Sequence, residues 1–412
     1  MKKILALLLA LAMIFSLAAC GGSEQKAEAP AADAPAAEAP AAEAPTAAAS
    51  EYKIAMITDY GDITDQSFNQ TTWEACIAFG EANGIEYKYY KPGTNDTAGR
   101  VASAELAIAD GYNVLVMPGY AFGGTIAEIS GEYPDVKFIA LDVAKGDLLE
   151  GGVALKGEAY DYNPDNWDLS KYVYMDNVYC AIYQEELSGY MAGYAAVKLG
   201  YTKLGFLGGM AVPAVIRFGF GFVQGVDAAA SELDIDAEVK YAYGNQFYGD
   251  ADITAVMDTW YAAGTQAVFA CGGGIYTSAA EAAKKVGGKV IGVDVDQAAV
   301  IDGAYGEGMT ITSAMKGLAP TTIDTLTDVI INGNWANYAG KIETLGLVSA
   351  DPEANYVQIP MATTQFEEGK FTAEDYAAMV AAMYEGTLSV SADISAMPAT
   401  VKTVVDDQGN LK

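Results

Sequence analysis

Apolar and polar positions along this chain follow two rhythms, and both recur twice. Short runs apolar on both faces stand at 52–58, 114–117, 137–141, 203–207, 267–270 and 289–293. A strand apolar on both faces belongs in a sheet covered on both sides, so these runs predict parallel strands. Between them apolar residues recur every three or four positions, which predicts amphipathic helices over 67–82, 125–132, 184–199, 215–233 and 278–286. One series closes near 141 and a second opens beyond 180. The pattern therefore predicts an α/β protein with two lobes, each built on a parallel sheet.

The first fifty residues follow neither rhythm. Lys2 and Lys3 precede an almost wholly apolar stretch from Ile4 to Ala19, and Leu17-Ala18-Ala19-Cys20 supplies small residues at a cleavage point. This arrangement resembles the lipobox of bacterial lipoproteins. It implies loss of residues 1–19, diacylation of Cys20 and a lipid anchor on the extracytoplasmic face of the cell membrane. An uncleaved anchor is the competing reading, but Gly21-Gly22-Ser23 follows at once and no charged stop-transfer cluster does. Residues 20–50 are dominated by Ala, Pro and Glu, with Pro30, Pro35, Pro40 and Pro45 at every fifth position. Each proline interrupts helix and no bulky apolar residue is present to form a core, so a disordered tether is expected.

Charge and residue counts narrow the chemistry. The formal net charge is −31, and loss of Lys2 and Lys3 makes it −33. Such a field repels nucleic acid and phosphorylated ligands and is compatible with a neutral or cationic small molecule. Beyond Cys20 the cysteines are Cys76, Cys180 and Cys271, widely spaced in apolar settings, which reads as buried small hydrophobes rather than a disulfide framework. The chain contains no histidine, which excludes Ser-His-Asp and Cys-His machinery and histidine zinc sites. A calcium-dependent nucleoside hydrolase would need clustered acids; Asp59, Asp62 and Asp65 offer them, but Asp65 reads better as the residue before a helix. No enzyme, metal or cofactor is expected.

In parallel α/β sheets ligands bind beyond the carboxyl ends of the strands. Asp59, Gly119, Asp142, Gly273 and Asp294 stand at such ends. An Asp in this place more commonly caps the next helix or stands as a surface charge. Ser67-Phe68-Asn69-Gln70 reads as a capping box, which puts Phe68 in the first turn of a helix, either as a packing staple or facing the crevice.

Several blocks together resemble one family. They are 57–70 (ITDYGDITDQSFNQ), 133–138 with Leu141-Asp142, Gly208-Gly209-Met210-Ala211-Val212-Pro213, Ala270-Cys271-Gly272-Gly273-Gly274, 291–297 (IGVDVDQ) and Thr312-Ser313-Ala314-Met315-Lys316. In this order they resemble the basic membrane protein family, the purine nucleoside receptor lipoproteins of ABC transporters, from about residue 51 to 318. The resemblance implies a type I periplasmic binding protein, with two Rossmann-like lobes joined by hinge strands. The lobes are expected at 51–178 plus about 308–342, and at 179–307 plus about 343–412. It further implies that Phe68 and Phe247 stack on a base, and that Asp59 and Asn69 read the base edge. Asp142 and Asp294 would take ribose hydroxyls, Lys316 would reach the ribose, and Gly273 would allow close backbone approach. Phe247 lies in Asn245-Gln246-Phe247-Tyr248-Gly249-Asp250, which departs from the family's usual Gly-Ser-Phe-x-Asp. The segment 160–176 reads as an inserted surface loop, and the tyrosines there and at 87–90 either widen the ligand range or coat the surface. The implied protein is a monomer that captures a nucleoside and delivers it to an ABC permease. A sugar or other small neutral ligand, or a sensor presenting its ligand to a membrane receptor, is the alternative.

Overall fold

The structure is a computed structural model that describes residues 51–412. Cys20, the signal peptide and the tether lie outside the described residues. The first half runs β1 (Lys53–Ile57), α1 (Phe68–Asn83), β2 (Glu86–Tyr90), α2 (Thr97–Ala109), β3 (Val114–Pro118), α3 (Phe122–Ile129), β4 (Lys137–Leu141), α4 (Lys145–Leu155) and β5 (Val178–Tyr183). There follow α5 (Glu185–Lys198), β6 (Lys203–Gly208), α6 (Pro213–Leu233), β7 (Ala237–Tyr243), α7 (Ala251–Ala262), β8 (Ala267–Cys271), α8 (Tyr276–Val286), β9 (Lys289–Asp294), α9 (Ala298–Tyr305) and β10 (Thr310–Lys316). The chain ends with α10 (Leu318–Leu326), β11 (Lys341–Leu345), β12 (Val357–Gln358), α11 (Ala373–Tyr384) and β13 (Thr403–Asn410).

These strands form two sheets, in the orders β11-β5-β4-β3-β1-β2 and β12-β10-β9-β8-β6-β7-β13. All pairings are parallel except β12 against β10. The central strands β3 and β8 are buried at every residue, as their unbroken apolar runs require. Edge strand β2 is polar and largely exposed. Tyr87 and Tyr89 pack edge-on against Trp73, with centroids at 5.7 and 5.3 Å, while Tyr90 is buried against Tyr112. The tyrosines at 87–90 thus close a sheet edge.

The expected division of the chain is corrected by strand pairing. Residues 179–183 complete β5 in the first sheet, and β10 to Lys316 belongs to the second rather than the first. The chain returns to the first sheet at β11, which runs to Leu345, past the expected limit of 342. An apolar run announces a strand, but only hydrogen-bond register decides which sheet it joins. Three segments cross between the sheets: β5 to α5, β10 to α10 and β11 to β12.

Helices α5 and α6 pack unusually closely. A Cβ at Gly189 or Gly193 would lie 2.2 or 2.3 Å from the α6 backbone, and one at Gly221 or Gly225 would lie 2.1 Å from that of α5. Four glycines spaced i, i+4 on the two helices therefore let the backbones meet. This contact fixes the N-terminal ends of α5 and α6 beneath the cleft.

The inserted segment contains two 3-10 turns, Pro164–Asn166 and Leu169–Lys171. Trp167 donates its indole N–H to Asp161 at 2.6 Å and packs edge-on against Tyr160 and Tyr172. The cluster rests on α4, and none of its aromatic residues lines the cleft.

Candidate functional site

Between the carboxyl ends of the two sheets lies a cavity of about 420 Å³, within the range of small-molecule sites. Asp59, Phe68, Asn69, Asp142, Phe247, Gly273, Asp294 and Lys316 all line it. The first four come from the first sheet's side and the other four from the second's.

Asp142 and Asp294 occupy equivalent places in the two lobes. Asp142 follows β4, Asp294 ends β9, and both adopt the left-handed backbone, with φ of 61° and 65°. A non-glycine residue in this region is uncommon and tends to mark a functional site. The Lys316 ammonium is ion-paired with Asp142 and lies 3.7 Å from Asp294 Oδ1 and 3.6 Å from Glu185 Oε1. It also sits 4.8 Å from the Phe68 ring centroid, a cation–π distance. Burial opposes the charge on Lys316, but Asp142, Asp294 and Glu185 override it and hold the ammonium above its ordinary pKa. Burial raises the carboxyl of Asp294, against the pull of Lys316 and a hydrogen bond from Ser67. The second oxygen of Asp142, Oδ1, is buried without a partner among the described residues.

The first motif folds differently from its expected capping box. Ser67 makes no cap; its hydroxyl donates to Asp294 Oδ2 at 2.6 Å, across the cleft. Asp65 caps α1 instead, accepting the backbone N–H groups of Ser67, Asn69 and Gln70 at 2.9–3.0 Å. Gln70 accepts from Gln66 rather than reaching back to Ser67. The cap shifts by two residues because Asp65 offers two acceptor oxygens where serine offers one hydroxyl, which leaves Ser67 free for the other lobe.

Asp59 accepts the N–H groups of Tyr60 and Gly61 at 2.6 and 2.8 Å, and the Asn69 amide at 3.2 Å. Burial raises its carboxyl, although these three donors work the other way. Asn69 Oδ1 is buried with no partner among the described residues. Asp59 and Asn69 thus form one linked donor–acceptor pair facing the cavity.

On the opposite wall Phe247 rests on a shelf of glycine. A Cβ at Gly209 would lie 2.3 Å from its ring, and one at Gly272 would lie 3.0 Å away. Gly273, at φ 53°, takes a left-handed turn beside it, and the Gly274 N–H donates to the Phe247 carbonyl at 2.9 Å. The departure from the family's usual motif around Phe247 leaves this ring in the cavity wall.

Sequence reasoning missed Tyr60, Tyr120, Asp147 and Arg217, which also line the cavity, and Glu185, which supports it. Arg217 Nε donates to Glu185 at 2.6 Å. Glu185 is completely buried; burial raises its carboxyl while Arg217 and Lys316 pull it down. No local signal distinguishes Asp147, Glu185 and Arg217 from ordinary helix charges. Glu185 and Arg217 lie 32 positions apart and meet only because α5 and α6 cross at their glycines.

Two parallel α/β layers, joined by three crossings around a cleft at their carboxyl ends, define a two-lobed solute-binding protein of the type I periplasmic binding fold. The fold is shared with an ABC transporter solute-binding protein from Aeropyrum pernix K1. The TM-score is 0.59 at 18% identity, covering 82% of this chain and 87% of that one. The chain belongs to the Bmp family, "ABC transporter substrate-binding protein PnrA-like", whose pattern matches residues 52–351. It is 26% identical over 261 residues to the "ABC transporter nucleoside-binding protein BmpA" of Lactococcus lactis subsp. cremoris, spanning 60% of this chain and 65% of that relative's length. It is also 25% identical over 318 residues to "Basic membrane protein B" of Borreliella burgdorferi, covering 75% of this chain and 83% of that relative. The family is one of substrate-binding proteins. The described residues of β12, α11 and β13 extend beyond the matched region and complete the second sheet.

Proposed function

We propose that the protein is a lipid-anchored extracytoplasmic receptor that captures a nucleoside with a purine base between its lobes and delivers it to an ABC permease. The observation that carries this reading is the trio of Asp142, Asp294 and the buried Lys316 ammonium, which shares one cavity with an aromatic ring from each lobe. Carboxylates accept hydroxyl hydrogen bonds, and charge-assisted bonds are the strong ones. Phe68 and Phe247 offer faces on which a base stacks, at about 1–3 kcal/mol per base. Asp59 and Asn69 supply acceptors for the polar rim of a purine, Asn69 through its Oδ1, since its amide nitrogen already donates to Asp59 and Asp65. The relative from Lactococcus lactis, described as nucleoside-binding, supports this ligand class.

Binding closes the cleft. Ligand contacts come from both lobes, and a ligand shifts a two-state equilibrium only through its better contact with one state. Ser67 to Asp294 (2.6 Å), Gln297 Nε2 to the Gln66 carbonyl (3.1 Å) and Lys316 to Asp142 are direct hydrogen bonds across the cleft that support the closed form.

Calorimetry with guanosine, deoxyguanosine and guanine tests the reading. Losing a hydroxyl leaves a buried carboxylate with an unmet bond, so guanosine binds more tightly than the other two by about 1–3 kcal/mol. Equal affinity for guanosine and guanine overturns the hydroxyl clamp. Binding of a monosaccharide with none of the three moves the protein to the sugar alternative.

A further inference from the structure

Beyond the eight residues discussed, one polar part of the cavity wall has no assigned use. Asp147 and Arg217 both line the cavity, Asp147 from the first turn of α4 and Arg217 from the second turn of α6. They belong to different lobes, and no ion pair joins them among the described residues. Asp147 Oδ2 accepts the Ala144 N–H at 2.7 Å, and Oδ1 has no partner there. Arg217 commits only Nε, to Glu185, and makes no hydrogen bond through its two terminal nitrogens within the described residues. Two charged side chains, each mostly withdrawn from water, therefore offer an open acceptor and open donors across the cleft.

A ligand in the cavity covers both groups, and burying them without partners is costly. A single ligand atom that donates to Asp147 and accepts from Arg217 removes the cost on both sides and ties the lobes together. A hydroxyl does both. A phosphate or carboxylate satisfies Arg217 but meets the like charge of Asp147, and a methyl group satisfies neither.

The position of this pair relative to the other contacts indicates which hydroxyl. Glu185 lies 3.6 Å from Lys316 and 2.6 Å from Arg217, so Arg217 stands one residue beyond the cluster of Asp142, Asp294 and Lys316. On the nucleoside reading, the base rim meets Asp59 and Asn69, and the ring hydroxyls meet Asp142 and Asp294. The hydroxymethyl group is the one polar part of the ligand left over. We propose that Asp147 and Arg217 form a specificity-determining subsite that takes the 5′-hydroxyl of the nucleoside and rejects a 5′-phosphate. This inference rests on the proposed function.

The test is calorimetry at pH 8, above the value of about 7 to which burial raises Asp147, so that the carboxylate is ionised. The probes are guanosine, its 5′-deoxy and 5′-amino-5′-deoxy analogues and its 5′-monophosphate. For the wild-type protein, the 5′-deoxy analogue binds about tenfold more weakly than guanosine, as one lost hydrogen bond predicts. The amino analogue, an ammonium at this pH, donates to Asp147 but has no lone pair for Arg217, so it regains only part of the affinity. The monophosphate binds more weakly still. The isosteric change Asp147→Asn keeps the Ala144 contact and narrows the gap between guanosine and its monophosphate by about tenfold, while guanine, which has no 5′-hydroxyl, binds as it does to the wild type. The analogues probe the untouched protein, so the inference does not depend on the variant folding. If the 5′-deoxy analogue matches guanosine, or if Asp147→Asn leaves the phosphate penalty intact, this subsite is wrong while the nucleoside reading stands. If no nucleoside binds, both fall together.

Discussion

Ser67 and Asp294 stand 227 positions apart and on different lobes, yet a 2.6 Å hydrogen bond joins them. The serine that should have capped α1 serves as a contact across the cleft, and Asp65 takes over the cap. The two roles separate by mutation. Asp65→Ala removes a cap and lowers unfolding stability by about 0.5–2 kcal/mol. Ser67→Ala leaves α1 capped and acts on the Asp294 carboxyl, so its effect appears in ligand affinity and in the closed population. Urea melts together with ligand titrations of both variants measure this. A larger stability loss for Ser67→Ala than for Asp65→Ala would restore the capping box.

Buried acids set the pH response. Burial raises Asp147 from 3.8 to about 7 and Glu186 from 4.5 to about 7, and it raises Asp59, Asp294 and Glu185 as well. A raised acid favours folding in its neutral form, so its contribution is complete below the unfolded pKa and is lost as pH climbs through the folded one. Carboxyls with lowered values, such as Asp250 at about 2, are ionised in both states above pH 5 and do not offset this. Unliganded stability therefore falls between pH 5 and pH 8, by at most about 1.4 kcal/mol per pH unit for each extra proton bound in the fold. Chemical denaturation across that interval gives the slope directly; a rise in stability with pH contradicts the burial described here.

The glycine shelf predicts a binding defect without a folding defect. Gly209→Ala puts a methyl group where the Phe247 ring lies, at 2.3 Å. Phe247 is partly exposed at the cavity edge and can swing away. On the proposed function, affinity for every nucleoside drops by a similar factor, about tenfold, because stacking does not distinguish bases. Phe68→Ala weakens all bases alike for the same reason. Calorimetry with adenosine, guanosine and inosine decides it: a selective loss for one base would mean that the shelf reads the base edge.

At the α5–α6 crossing the same argument predicts instability. Gly225→Val places side-chain carbon 2.1 Å from the Tyr190 carbonyl, where neither backbone can give way. Overpacking of this kind costs about 1–3 kcal/mol or more. Separation of the helices also breaks Arg217 from Glu185, so ligand binding falls along with the melting temperature. A variant with wild-type melting temperature would show that the helices can part without cost.

Ligand-driven closure has a direct signature in solution scattering. Saturating guanosine reduces the radius of gyration, since three crossing segments leave the lobes free to rotate about a hinge. An unchanged radius would mean that the cleft is already shut without ligand.

Local pattern settled a good part of this protein. Strands such as 137–141 and helices such as 215–233 were legible because apolar period reports which face is buried. Strand ends marked Asp59, Asp142 and Asp294, because a parallel sheet collects those ends in one place. The eight residues named from motifs all line one cavity. Tertiary structure alone decided the rest. It assigned β5, β10 and β11 to their sheets, since edge pairing depends on register and not on composition. It moved Ser67 from a cap to a cross-cleft bond. It paired Glu185 with Arg217 and left Asp147 facing them, because backbone contact at Gly189, Gly193, Gly221 and Gly225 brings distant charges together. A charge on a helix looks alike in sequence whether it faces water or a cleft; only packing excludes the water that would make it ordinary.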